Sequence, residues 1–125
     1  MRQTQVLATV VLAIVSMQTS CYRYQSAACK QRGAAYAARV EKLRRDAHEK
    51  LIIGTKRDAV IHFFDENGIP VSFVAGEATG TISTTGCAPA GCGSDAALLG
   101  LRVKVDEGGT VTGEPIVGAL YDDCL

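Results

Sequence analysis

Five cysteines and two histidines are the residues of this 125-residue chain whose types could do chemistry: Cys21, Cys29, Cys87, Cys92 and Cys124, with His48 and His62. Cys87-Ala-Pro-Ala-Gly-Cys92 has four residues between its thiols, whereas a thioredoxin-like redox pair needs two and a zinc knuckle needs two such pairs. Pro89 and Gly91 suit a tight loop, so the spacing predicts a structural disulfide between Cys87 and Cys92. That leaves Cys29 to pair with Cys124, although four cysteines permit three connectivities. Neither histidine has a serine, cysteine or carboxylate at a motif spacing, and there is no His-x-x-x-His pair to hold a metal. His62 projects away from Val60, Phe63 and Phe64 on a helix, toward solvent. Asp122 and Asp123 are adjacent and therefore diverge on a strand, which does not suit paired-carboxylate catalysis. No nucleophile elbow, phosphate loop or dinucleotide fingerprint is present. The chemistry expected is cross-linking rather than catalysis: no enzyme, no cofactor, no metal and no small-molecule substrate.

The fifth cysteine belongs to a different segment. Met1-Arg2 is a short positive start, and Val6 to Met17 is an uncharged run of twelve residues ending just before Gln18-Thr19-Ser20-Cys21. Twelve helical residues cover about 18 Å, short of the roughly 30 Å of bilayer hydrocarbon, so the run reads as an export signal and not as a spanning anchor. Thr19-Ser20-Cys21 resembles the end of a bacterial lipobox, whose cysteine takes a diacylglycerol on its thiol. Gln18 stands where that box usually has leucine. Ordinary signal-peptidase cleavage is the competing reading, but it prefers small residues one and three positions before the cut, and Gln18 is not small. Acylation of Cys21 would also turn an odd number of cysteines into one anchor plus four partners for bridges. Residues 1–20 are thus expected to be a lipoprotein-type signal, 21–31 an acylated cysteine and tether, and 32–125 one domain. Tyr22, by resemblance to Gram-negative lipoproteins lacking Asp after the cysteine, implies the outer membrane, facing the periplasm. A soluble periplasmic or secreted form is the alternative.

The remaining residues must fold to hold these groups. Tyr36, Val40, Leu43, Ala47 and Leu51 recur at spacings of four, three, four and four, one helical stripe between Arg32 and Leu51. A second helix is expected from a Thr55 cap, with Asp58 reaching back and Val60, Phe63 and Phe64 buried; Asn67-Gly68-Ile69-Pro70 ends it in a Schellman turn. The period then changes to two. Val71, Phe73 and Ala75 share one side; Gly76 to Gly86 reads weakly as strand. Leu99, Leu101, Val103 and Val105 alternate with Gly100, Arg102, Lys104 and Asp106, giving one buried and one wet face. After the turn cluster Asp106 to Gly109, residues 111–121 form a strand interrupted by Pro115. The class is α+β: two N-terminal helices packed on a small antiparallel sheet of three to four strands.

Gly54-Thr55-Lys56-Arg57-Asp58-Ala59-Val60 followed by Gly68-Ile69-Pro70, behind a lipobox, resembles the signature of the small outer-membrane lipoproteins of the BamE (SmpA/OmlA) type. The resemblance implies two helices on a three-stranded antiparallel sheet and a periplasmic domain that assists envelope assembly through protein and lipid contacts. The four further cysteines and the Gly/Thr/Cys-rich stretch 76–93 depart from that plan. The partners expected are the membrane, through Cys21, and an unidentified envelope protein.

The chain has 13 basic and 13 acidic residues, and this neutrality argues against nucleic acid as partner. It is a cancellation: residues 22–57 carry ten basic and three acidic side chains, residues 58–125 two basic and ten acidic. A molecule with a basic end near the bilayer and an acidic sheet end is expected. The acidic half motivates an alternative function, an exported inhibitor binding a basic hydrolase.

Overall fold

The computed structural model describes residues 25–124. Ser26 starts the first helix: its Oγ accepts a hydrogen bond from the Cys29 amide at 3.1 Å, satisfying one of the donors a helix leaves unpaired at its N-terminus. Helix α1 therefore spans Ala27–Lys50, five residues longer at its start than the stripe predicted, so residues 27–31 of the expected tether are helical; residues 21–24 lie outside the described residues. Its buried side is the predicted one, Tyr36, Val40, Leu43 and Ala47, continued by Leu51. Of the charge pairs along its outer face, Lys42 bonds Asp46 while Glu41 bonds Arg44. The Asp46 carboxyl lies below the usual carboxylate range, chiefly through its hydrogen bond from Lys42.

The expected Thr55 cap is corrected. Its hydroxyl donates to the carbonyls of Lys50 (3.3 Å) and Ile52 (2.7 Å), so it closes α1 instead of opening the next helix. Helix α2, Arg57–Glu66, begins after Lys56 with no side-chain cap. The α1–α2 turn is pinned by the backbone of Val111, which receives the Gly54 amide and donates to Thr55. The C-terminus of α2 closes as expected: Gly68 takes φ +67°, Ile69 N–H reaches the Phe64 carbonyl and Gly68 N–H that of Asp65, both at 3.0 Å. Ile69 is thereby folded onto Phe64, and both are buried.

Four antiparallel strands follow in the order of the sequence: β1 (Ser72–Val74), β2 (Glu77–Thr85), β3 (Ala96–Lys104) and β4 (Ile116–Tyr121). The α+β class and helices-first order are those predicted. Ala75, expected on one strand side with Val71 and Phe73, instead sits exposed in the β1–β2 turn with positive φ beside Gly76, the pair of left-handed residues a two-residue hairpin needs. The segment 77–85, weak as a strand by sequence, is a central strand paired along its whole length with β3. Strand β4 starts only after Pro115; Val111, further upstream, makes an isolated bridge to Val105. One face of the sheet, with Ala78, Ala97, Leu99, Leu101 and Val103 at its centre, packs under both helices in a single core with Phe63, Phe64 and Val60.

Tyr36 joins α1 to this sheet. Its hydroxyl donates to the Leu98 carbonyl at 2.6 Å and its ring lies 5.5 Å from that of Tyr121. Burial, reinforced by Tyr121, raises the Tyr36 pKa above its ordinary value of 10.0. A phenol whose pKa is higher folded than unfolded contributes full stability below the unfolded value and loses it as pH rises from there through the folded value. We expect Tyr36→Phe to cost about 1 kcal/mol at neutral pH and to flatten the loss of stability above pH 10, measured by urea unfolding across pH 8–11.

Candidate functional site

Two regions carry the arrangement that sequence reasoning sought: the cross-linked end of the molecule and the sheet face away from the helices. At the first, the predicted pairing is corrected. Cys29 bonds Cys87 and Cys92 bonds Cys124, spanning 58 and 32 residues. The backbone explains why. Gly33, one helical turn after Cys29, lies so close to the loop that an added Cβ would stand 2.9 Å from the Cys87 Cβ, so α1 rests directly on Cys87. A turn closed by Cys92 N–H on the Pro89 carbonyl then carries Cys92 to the chain beyond β4, where it pairs with Cys124 as an antiparallel bridge. The loop is not clipped to itself; it is stapled to the first helix at one end and to the last strand's extension at the other.

Asp95 organises this loop. Its Oδ1 accepts the Ala88 amide at 2.9 Å, its backbone carbonyl accepts the Gly86 amide, and Arg32 lies 3.5 Å from its Oδ2. The Tyr121 hydroxyl accepts the Cys87 amide at 3.0 Å, and Gln25 Nε2 donates to the Ala88 carbonyl. Sequence reasoning missed Asp95 and Tyr121, since neither sits in a motif; both act through partners distant in the chain. With all four cysteines in disulfides, none supplies a thiolate for redox attack or metal binding. Cys21 lies outside the described residues, as does the signal segment. His62 is exposed, with Nε2 2.8 Å from Glu66 Oε1, and His48 is exposed on α1. Among the described residues no cluster of His, Cys, Asp or Glu could hold a metal, and no helix is long and apolar enough to cross a membrane.

The charge halves meet rather than separate. Arg32 pairs with Asp95 and Lys50 with Glu66 at 3.9 Å, while acidic residues flank both ends of β3, Asp95 before it and Asp106 and Glu107 after. The expected two-ended molecule is therefore corrected: the hairpin topology returns acidic turns to both ends of the sheet.

The second region is the open sheet face. Strand register places Thr81, Gly100 and Gly118 side by side across β2, β3 and β4. This row without large side chains is a furrow across the strands. On one side runs Thr79, Arg102 and Ile116; on the other Ser83, Leu98 and Leu120. Ile116 and Leu120 are 53% and 56% exposed, and Val74 on β1 is 61% exposed, large apolar surface that no other part of the described chain covers. The wet residues Gly100, Arg102 and Lys104 of this face were legible in the alternation of β3; the furrow was not, because it depends on register between strands.

No family model, no curated protein and no solved structure matches this chain.

Proposed function

We propose that this protein is a lipid-anchored lipoprotein of the cell envelope, held in the outer membrane through Cys21 and facing the periplasm, whose domain is a non-catalytic interaction module. The observation that carries this reading is the open sheet face: three large apolar side chains exposed on a rigid antiparallel sheet are a surface for a macromolecular partner, not a cleft for a substrate. The two disulfides support export, because such bridges persist in oxidising compartments. The order of two helices and then an antiparallel sheet agrees with the plan expected from the resemblance to BamE-type lipoproteins, with a fourth strand added.

The anchor would hold the domain closely. Only four residues separate Cys21 from Ser26, so the helix start lies at most about 18 Å from the acylated sulfur's backbone. Cys21→Ser is expected to abolish acylation and move the protein from the membrane to the soluble fraction, with the domain still folded. Retention of the variant in membranes, together with no uptake of labelled palmitate by the wild type, would overturn the anchor.

A further inference from the structure

The open face carries a ridge beside a furrow, and that combination fits itself. Let a two-fold axis lie between two such faces, across the strands, midway between the Gly100–Gly118 row and the Leu98–Leu120 row. Rotation about it sets Leu98 of one copy over Gly100 of the other and Leu120 over Gly118, and the reverse contacts follow by symmetry. The same operation turns the strands antiparallel and brings the Arg102 row over the row of Ala96, whose carbonyl receives the Asp122 amide. Ile116 of each copy then lies over Asp122 in the other, and Arg102, over Ala96 one strand away, is within reach of that carboxylate. Arg102 and Asp122 are both exposed, and neither forms an ion pair with another described residue.

We propose that the occupant of this face is a second copy of the chain, packed sheet to sheet as an isologous dimer. The proposal rests on reading the face as an interaction surface and names its partner. Charge complementarity selects the antiparallel arrangement: a two-fold axis along the strands would set furrow over furrow and leave Arg102 over Arg102. Nine residues per central strand and four strands give each copy roughly 500 Å² of face, the low end of specific interfaces, which is the size of a weak, reversible dimer.

Gly118 provides the decisive variant. A Cβ there meets nothing within 4 Å in the monomer, so Gly118→Val leaves the fold intact while filling the furrow. Sedimentation of the mature chain in detergent, and of the mature chain carrying Cys21→Ser without it, should show a concentration-dependent monomer–dimer equilibrium in both. Gly118→Val should weaken it at least about tenfold with a melting temperature that does not fall, because the valine fills the space the partner's Leu120 needs. Arg102→Glu should also weaken it, and Arg102→Glu combined with Asp122→Arg should restore it. A chain that stays monomeric to several hundred micromolar, a Gly118→Val dimer as tight as wild type, or a charge swap that restores nothing would overturn the proposal; a monomer that captures another envelope protein on this face is among those outcomes. A wild-type chain that dimerises but takes no acyl group would sink the anchor and leave the dimer standing, and an acylated wild-type monomer would do the opposite.

Discussion

Replacing Cys29 and Cys87 together by alanine is expected to cost about 4 kcal/mol, and replacing Cys92 and Cys124 about 3.7 kcal/mol, since the bridges close spans of 58 and 32 residues. The cost arises mainly in the unfolded chain, which regains the freedom that each cross-link removes. For a domain of this size either loss corresponds to a drop in melting temperature on the order of 20 °C. Losing both removes stabilisation comparable with the whole stability of a typical domain, roughly 5–15 kcal/mol, so the fully reduced protein should be largely unfolded at 37 °C. Differential scanning calorimetry of the two double variants, and of wild type with and without reductant, checks these values. Whether Cys87 pairs with Cys92 is checked separately by tryptic digestion without reduction. There is no Lys or Arg between Arg57 and Arg102, so Cys87 and Cys92 stay in one fragment. The observed bridges join that fragment to those bearing Cys29 and Cys124 as a single three-peptide species. A Cys87–Cys92 bridge would instead release it alone.

Gly80→Ala should destabilise the fold by about 3 kcal/mol or more, whereas Gly118→Ala, two strands away on the opposite face, should be neutral or stabilising by up to about 1 kcal/mol. The contrast comes from what each Cβ would meet. At Gly80 it would stand 2.1 Å from the Pro70 carbonyl oxygen and 2.7 Å from Ile69 Cγ2, and the backbone there is held by the Schellman turn that ends α2. Backbone so fixed cannot yield as a flexible side chain would. At Gly118 the space is open. Urea midpoints of the two variants decide it: equal midpoints would mean that the α2 exit does not press on β2 as described.

How much of this was legible beforehand follows the range of the interactions. The buried stripe of α1, the apolar side of α2, the Gly68 turn and the alternation of β3 depend on residues within a few positions of one another, and all appear where the pattern put them. Thr55 was misread because two uses compete for its hydroxyl, a cap ahead or the orphan carbonyls of α1 behind, and the spacing to Asp58 cannot weigh the second. Strand β2 was weak because Gly80 and the threonines carry little hydrophobic pattern; its partner β3 and the approach of Pro70 determine it. The disulfides were mispaired for the same reason. Cys87 and Cys92 are near in sequence, but the turn between them sends one toward α1 and the other toward the end of β4. The four cysteines were correctly picked as bridge formers; which pairs form is a property of the assembled fold.

The central claim, an exported domain tethered by lipid at Cys21 and stapled by two bridges, is tested most directly by the intact mass of the mature protein isolated from membranes. The mass expected is that of residues 21–125 plus acyl chains, lighter by four hydrogens than the reduced form, with the added mass lost in Cys21→Ser. An unmodified chain, cut elsewhere or retaining its first twenty residues, would contradict the anchor, and free thiols on Cys29, Cys87, Cys92 or Cys124 would contradict the staples.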